Sequence, residues 1–135
     1  MPALADVRLS AEAQTFLTDR HIATLSTFGR DGGIHVVPVG FTWDGELVRV
    51  ITSGGGQKVL NVLRTGRASV CQFEGARWLT FSGRAEIVDE PDAVRDAERR
   101  YAARYREPRP NPERIVLTLR PDAVMASSGL LEPVA

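Results

Sequence analysis

Two apolar runs joined by Asp44 and Gly45 constrain the fold of this chain more than any other feature. Residues 34–43 and 47–52 are rich in valine and isoleucine, and the Asp-Gly pair between them is a strong signal for a two-residue hairpin turn. Strands with nearly continuous apolar character are usually covered on both faces. Pro38 has no N–H to donate to a ladder, so the first run should be bulged or lie at a sheet edge.

The same patterns extend to most of the chain. Strands are predicted over residues 21–28, 34–43, 47–52, 67–73, 77–88 and 114–120, and helices over residues 10–20, 57–65 and 91–105. Six strands with hairpin connections predict a mainly β, antiparallel fold in one domain of residues 1–135. A sheet of this size removes its edges by closing into a barrel. The covered outer face then predicts a homodimer.

Composition excludes several classes of function. The chain has 17 basic and 17 acidic residues, so no net charge draws it to nucleic acid or to an anionic membrane. Cys71 is the only cysteine, which rules out an internal disulfide. Because the chain has only two histidines, we also expect no metal site. No run approaches the roughly 20 apolar residues that span a bilayer. Residues 1–20 carry several charges and lack an apolar signal core, which predicts a cytoplasmic location.

A glycine-rich stretch lies between the third predicted strand and the second helix. Residues 52–61 read Thr-Ser-Gly-Gly-Gly-Gln-Lys-Val-Leu-Asn. Glycines leave backbone N–H groups uncovered, and a helix N-terminus adds free donors and the positive end of its dipole. Lys58, the only lysine beside sixteen arginines, adds a full charge. The stretch predicts a phosphate site; the alternative is a flexible turn followed by a solvated residue. Along the helix, Val59, Leu60 and Leu63 are predicted to form the apolar side, with Lys58 and Asn61 on the other.

The order of these segments resembles the split β-barrel flavin-binding family. That family includes the pyridoxamine 5'-phosphate oxidases and the actinobacterial oxidoreductases that depend on deazaflavin coenzyme F420. Several segments are similar to its F420-dependent biliverdin reductase branch: His-Val-Val-Pro-Val-Gly-Phe at residues 35–41, residues 50–58, 75–79, 82–85, 92–98 with 104–106, and Pro-Arg-Pro-Asn-Pro at residues 108–112.

The resemblance implies a homodimer that binds two cofactors in grooves between the subunits. It implies cofactor contacts from the following residues: His35, Val36, Val37, Pro38 and Val39 along the ring system, Ile51 and Thr52 near the junction of ring and ribityl chain, Ser53, Gln57, Lys58 and Asn61 around the phosphate, and Arg77 and Trp78 from the other subunit. No catalytic residue is identified. His35 is interpreted either as a group at the cofactor edge or as a partly exposed strand histidine. Trp78 is interpreted either as a stacking residue or as interface packing.

The implied function is hydride transfer from reduced coenzyme F420 to an unsaturated small molecule, with reduction of biliverdin to bilirubin as the leading reaction. Two alternatives stay open. One is an FMN-dependent oxidoreductase resembling pyridoxamine-phosphate oxidase, because FMN and F420 share the ribityl phosphate. The other is a non-catalytic module that binds a flavin or a tetrapyrrole.

Overall fold

The computed structural model describes residues 1–134 and consists mainly of antiparallel strands. A short 3-10 helix (Leu4–Asp6) opens the chain. In chain order the strands are β1 (Val7–Leu9), β2 (Ala23–Phe28), β3 (Ile34–Val39), β4 (Thr42–Trp43), β5 (Val48–Ser53), β6 (Arg67–Glu74), β7 (Arg77–Val88), β8 (Arg114–Ala126) and β9 (Leu131–Pro133), and the helices are α1 (Ala11–Thr18), α2 (Gln57–Thr65) and α3 (Pro91–Arg104).

One sheet carries the fold, with strand order β3-β2-β6-β7-β8-β5-β4, while β1 and β9 pair separately. The long strands β7 and β8 lie at its centre, and their register shifts at Ser82 and Gly83. A side chain at Gly83 would overlap the backbone of Arg120 and Pro121, which explains why glycine occupies this predicted bend. The sheet curls around a core whose largest buried side chains include Phe16, Phe41 and Phe81.

The predicted mainly β, antiparallel fold is confirmed, and the differences lie in the strand count and in the sheet edges, because the sheet curls but keeps β3 and β4 as edge strands. Residues 34–43 form two strands instead of one, because the chain turns at Gly40 and Phe41. The last predicted strand continues past residue 120 to Ala126, and the β1–β9 pair was not predicted. Pro38 lies on β3, an edge strand, as one of its two predicted alternatives required.

The turn between β4 and β5 is longer than the predicted two residues. Trp43 pairs with Val48, so four residues connect the strands. The Asp44 carboxylate accepts hydrogen bonds from the N–H groups of Glu46 and Leu47, at 2.8 and 2.7 Å. An aspartate that bonds its own turn in this way supports a longer loop.

The bounds of α2 agree with the prediction, but its predicted apolar side is wrong. Leu60 and Leu63 are 46% and 66% exposed, and Asn61 is fully buried beside Val59 and Val62. The Asn61 amide donates to the Thr27 hydroxyl at 3.0 Å, which satisfies it inside the protein. Helical periodicity alone did not indicate this hydrogen bond. Gly66 ends the helix in the left-handed conformation, with φ of 66°.

The outer face of the sheet is apolar and exposed in the single chain. Ile34 and Val36 are 73% and 53% exposed, and Phe28 lies directly opposite Ile34 on β2. Phe73 and Met125 extend the exposed surface onto β6 and β8. Across residues 1–134, no helix is both long and apolar enough to cross a membrane.

Candidate functional site

An open groove of about 580 Å³ lies where the ends of β3 and β5 meet the connector between α3 and β8. It is lined by Pro38, Val39, Gly40, Val50, Ile51, Thr52, Ser53, Lys58, Tyr101, Arg106, Pro108, Arg109, Asn111 and Arg114. One wall is therefore strand backbone, and another is the proline-rich connector of residues 105–113.

The turn at residues 53–56, which we call the glycine turn, forms one end of the groove. The Gly54 N–H donates to the Glu113 carbonyl at 2.9 Å, and Gly55 has φ of 83°, which favours glycine. Gly56 is the N-cap of α2 and offers no side chain to the first turn, so N–H groups of that turn have no side-chain acceptor. Lys58, in the same turn, lines the groove. This arrangement presents positive charge at the point where the sequence predicts a phosphate.

The groove contains cations and no carboxylate. Four of its lining residues are Lys58, Arg106, Arg109 and Arg114, and no lining residue is aspartate or glutamate. Arg114 donates to Glu98 at 2.6 Å, whereas Lys58, Arg106 and Arg109 form no ion pair with any residue that the structure describes. The chain as a whole is neutral, whereas every charged side chain that lines the groove is basic. A concave cationic site attracts a ligand with several negative charges.

Arginines on the outer surface of α3 differ from those in the groove. Arg95 pairs with Asp92, and Arg99 and Arg100 both pair with Asp96. The Arg100 hydrogen bond lowers the pKa of Asp96. These side chains have partners within the helix and are exposed, which is the usual arrangement of a solvated surface.

Arg104 and Tyr105 attach the start of the connector to the core. The Arg104 guanidinium donates to the carbonyl oxygens of Asp19 and Phe41, at 2.9 and 2.5 Å, and to the Gln72 amide oxygen at 2.5 Å. The Tyr105 hydroxyl donates to the His21 carbonyl at 2.7 Å and accepts from the Phe41 N–H at 3.1 Å. Burial lowers the pKa of Arg104 and raises that of Tyr105. We call this pair the clamp.

Gly40 lets the clamp approach the end of β3. A Cβ atom at this position would lie 3.1 Å from the Tyr105 ring and 3.2 Å from the Tyr101 ring. These two rings stack with centroids 4.9 Å apart, and Tyr101 lines the groove. The absence of a side chain at Gly40 therefore sets how closely α3 packs beside the groove.

Six of the residues predicted to contact the cofactor line the groove: Pro38, Val39, Ile51, Thr52, Ser53 and Lys58. The structure places the other seven outside it. Val36 points to the outer face, and Val37 packs against the core. His35 faces the same side as Thr27, and its Nδ1 atom is buried without a hydrogen-bond partner among the described residues.

Asn61 and Gln57 lie away from the groove lining. Gln57 donates its amide to Asn61 Oδ1 at 2.8 Å, and the fully buried Asn61 holds α2 against β2 through Thr27. The predicted contact of Asn61 with a phosphate therefore has no support in this geometry. Asn61 has no exposed surface, so its amide is not presented to a ligand in the groove.

Arg77 and Trp78 lie at the β6–β7 hairpin, outside the groove of their own chain. Arg77 pairs with Glu74 at 2.9 Å, and its guanidinium lies 4.5 Å from the centre of the Phe16 ring. The backbone N–H of Trp78 donates to the Ser127 hydroxyl at 3.0 Å. Both residues are therefore placed by contacts within this end of the sheet.

The connector and the first residue of β8 supply polar groove residues that were not predicted. Arg106, Asn111 and Arg114 were not among the predicted cofactor contacts, although residues 104–106 and 108–112 belong to the segments that resemble the family. The available signal was the pair of arginines, Arg106 and Arg109, in this proline-rich stretch. The described residues contain no group of three or more His, Cys, Asp or Glu side chains placed to hold a metal.

Comparisons with known proteins find one matching family and several similar folds. A family model described as pyridoxamine 5'-phosphate oxidase matches residues 9–127. The F420H(2)-dependent biliverdin reductase of Mycobacterium tuberculosis (strain CDC 1551 / Oshkosh) is 51% identical over 127 residues, covering 93% of each chain. A solved structure described as an F420 reductase superposes with a TM-score of 0.70 at 26% identity, covering 83% of this chain and 94% of its own. A conserved hypothetical protein from Mycobacterium tuberculosis superposes with a TM-score of 0.78 at 26% identity, covering 93% and 89%.

Proposed function

Because this chain belongs to the pyridoxamine 5'-phosphate oxidase family, we propose that it is an oxidoreductase that uses reduced coenzyme F420 to reduce biliverdin. The family resemblance inferred from the sequence motifs is confirmed by the match over residues 9–127. The proposed activity follows the relative that is 51% identical over almost its whole length.

The observation that carries the proposal is the groove lined by four cations and no carboxylate. Coenzyme F420 has a ribityl phosphate and a lactyl-oligoglutamate tail, so it is anionic along one side. Lys58 and Ser53 are suited to the phosphate, and Arg106 and Arg109 are suited to the carboxylates of the tail. The charge and the hydrogen-bonding groups of these residues fit the cofactor.

The end of β3 is suited to the ring system. As an edge strand, β3 pairs with β2 alone, so the N–H and C=O groups on its free side have no partner in a ladder. Pro38 and Val39 line the groove beside Ile51 and Thr52 and offer an apolar surface. We expect this wall to orient the ring and to exclude water from one of its faces.

When bound, reduced F420 would supply a hydride to the central methine carbon of biliverdin, and a proton would add at a pyrrole nitrogen to give bilirubin. The residues of this chain bind and orient the two molecules. Basic groove residues that do not contact the cofactor tail are suited to bind the propionate groups of the tetrapyrrole.

We also propose that the active form is a homodimer. The exposed apolar side chains of the outer face, including Phe28, Ile34 and Val36, support a partner of the same kind over this surface. In such a dimer Arg77 and Trp78 would approach the groove of the other subunit. Light scattering of the purified chain should give twice the mass of one chain, and Ile34→Glu should shift it to one. A monomeric unaltered chain would contradict the proposed dimer.

The cytoplasmic location stays a prediction from the sequence.

The activity is tested by mixing the purified chain with reduced F420 and biliverdin and recording both absorbances. We expect oxidation of the deazaflavin in step with the loss of biliverdin. Affinities for F420 and FMN, measured side by side, test the cofactor. A chain that binds FMN but not F420, or that oxidises no deazaflavin above background, would contradict the proposal.

A further inference from the structure

We propose that Asn111 is a positioning residue that holds the Ser53 hydroxyl as a hydrogen-bond donor toward the phosphate of the cofactor. This inference rests on the proposed function, since it requires a phosphate-bearing ligand in the groove. Asn111 and Ser53 both line the groove, and their side chains meet at 2.8 Å although they are 58 residues apart in the sequence.

The orientation of the Asn111 amide is fixed by a neighbouring backbone group. Its Oδ1 atom accepts a hydrogen bond from the Glu113 N–H at 3.0 Å. A backbone N–H can only donate, so the oxygen of the amide must face Glu113. The Nδ2 group must therefore face Ser53, and this assignment follows from the hydrogen bonds alone.

The direction of the Asn111–Ser53 hydrogen bond follows from that orientation. An amide NH₂ group has no acceptor function, so Ser53 Oγ accepts this bond. The hydroxyl carries one proton, and no acceptor for it exists among the described residues. Ser53 is thus left with a free O–H donor at the glycine turn, in the same groove as Lys58.

Asn111 is held firmly enough to impose this direction. The Arg114 N–H donates to the Asn111 carbonyl at 3.1 Å, and the Gly54 N–H donates to the Glu113 carbonyl at 2.9 Å. Pro110 and Pro112 flank Asn111 and restrict the backbone on both sides of it. The turn that carries Asn111 is therefore bonded directly to the turn that carries Ser53.

The direction matters because the phosphate of F420 is a phosphodiester, which only accepts hydrogen bonds at neutral pH. A serine that donated to Asn111 would turn its lone pairs toward the anion and weaken binding. A serine that accepts from Asn111 can offer its proton to the anion in a charge-assisted bond. Asn111 thereby acts through Ser53 without touching the ligand itself.

The test is a double-mutant cycle in which the dissociation constant for F420 is measured by fluorescence. We expect Ser53→Ala to weaken binding about 30-fold and Asn111→Ala about fivefold. In the Ser53→Ala background, Asn111→Ala should weaken binding by less than about twofold, because the group it orients is gone. Asp31→Ala is the matched control, since Asp31 makes the same kind of turn bond, to the Gly33 N–H at 2.9 Å, at the far end of β3.

A second ligand separates positioning from general structure. The ribityl deazaflavin that lacks the phosphate and tail should bind the Asn111→Ala variant as well as it binds the unaltered chain. If both ligands lose affinity equally, or if the two substitutions act independently, the role of Asn111 is overturned while the cofactor assignment stands. If the unaltered chain does not bind F420, both proposals fail.

Discussion

Arg104 and Arg106 are two residues apart, yet their surroundings are opposite. Arg104 is half-buried and bonded to three backbone carbonyls and the Gln72 amide oxygen. Arg106 and Arg109 instead line the groove without an ion-pair partner among the described residues. The outer arginines of α3 form a third group, each paired with a nearby aspartate. The partners of an arginine, rather than its residue type, thus separate a structural group from one that is free to bind a ligand.

The largest expected effect comes from removing the clamp. Arg104→Met keeps most of the side-chain volume but leaves the Phe41 carbonyl and the Gln72 amide oxygen without their donor. We expect the free energy of unfolding to fall by about 3 kcal/mol, measured by urea denaturation. Arg99→Met, on the outer surface of α3, should change it by less than about 0.5 kcal/mol. Equal stability of the two variants would remove the distinction between the clamp and the surface.

Lys58→Ala should produce the next largest effect, and it should act on binding alone. We expect the dissociation constant for F420 to rise about 30-fold, because a charge-assisted contact with an anion is lost. The midpoint of thermal unfolding should stay near that of the unaltered chain, since Lys58 has no ion pair in the described structure. Unchanged affinity for F420 would show that the groove does not hold the phosphate at the glycine turn.

A smaller effect is expected at Arg109, on the open side of the groove. Arg109→Ala should weaken F420 binding about fivefold at low ionic strength, and the loss should shrink as salt screens the exposed charge. Arg99→Ala is the matched control, because it removes an exposed arginine that already has a partner. Should both substitutions weaken binding equally, the effect would belong to net charge and not to the groove.

The smallest effect concerns Asp44, whose carboxylate pairs with Arg49 at 2.6 Å. Burial raises the pKa of Asp44, but hydrogen bonds from Arg49, Leu47 and Glu46 outweigh it and lower the pKa from 3.8 to about 2. Because the pKa is lower in the folded chain, the stabilisation is complete above about pH 4 and is lost as the pH falls toward 2.

Asp44→Asn should therefore reduce the free energy of unfolding at pH 7 by less than about 1 kcal/mol, after allowance for solvent screening. The difference from the unaltered chain should disappear between about pH 4 and pH 2, and F420 affinity should not change. A difference that persists at pH 2 would mean that the charge of Asp44 is not its source.

Local patterns in the sequence predicted those elements that short-range interactions determine. The bounds of α2 follow from Gly56 before it and Gly66 after it, and β7 runs over exactly the predicted residues 77–88. The position of Pro38 on an edge strand follows from its missing N–H. Each of these predictions needed only a few neighbouring residues.

The parts that escaped prediction depend on residues far apart in the chain. Asn61 is buried by its bond to Thr27, 34 residues away, and Arg104 reaches Phe41 across 63 residues. The connector became part of the groove only because Asn111 meets Ser53 across 58 residues. The periodicity of a short stretch of sequence does not reveal such contacts. The arginines and Asn111 of the groove could therefore be recognised only from the three-dimensional structure.

The clamp has a consequence for how this family can diversify. Arg104 and Tyr105 attach the chain to the core just before the groove-lining segment. Just after that segment, Arg114 attaches it to α3 by its hydrogen bond to Glu98. Between these two attachment points, four of the five residues 106–110 are exposed. Substitutions in this segment can alter which anionic ligand is accepted at little cost in folding, which makes it the natural place to randomise in a library for new cofactor preferences.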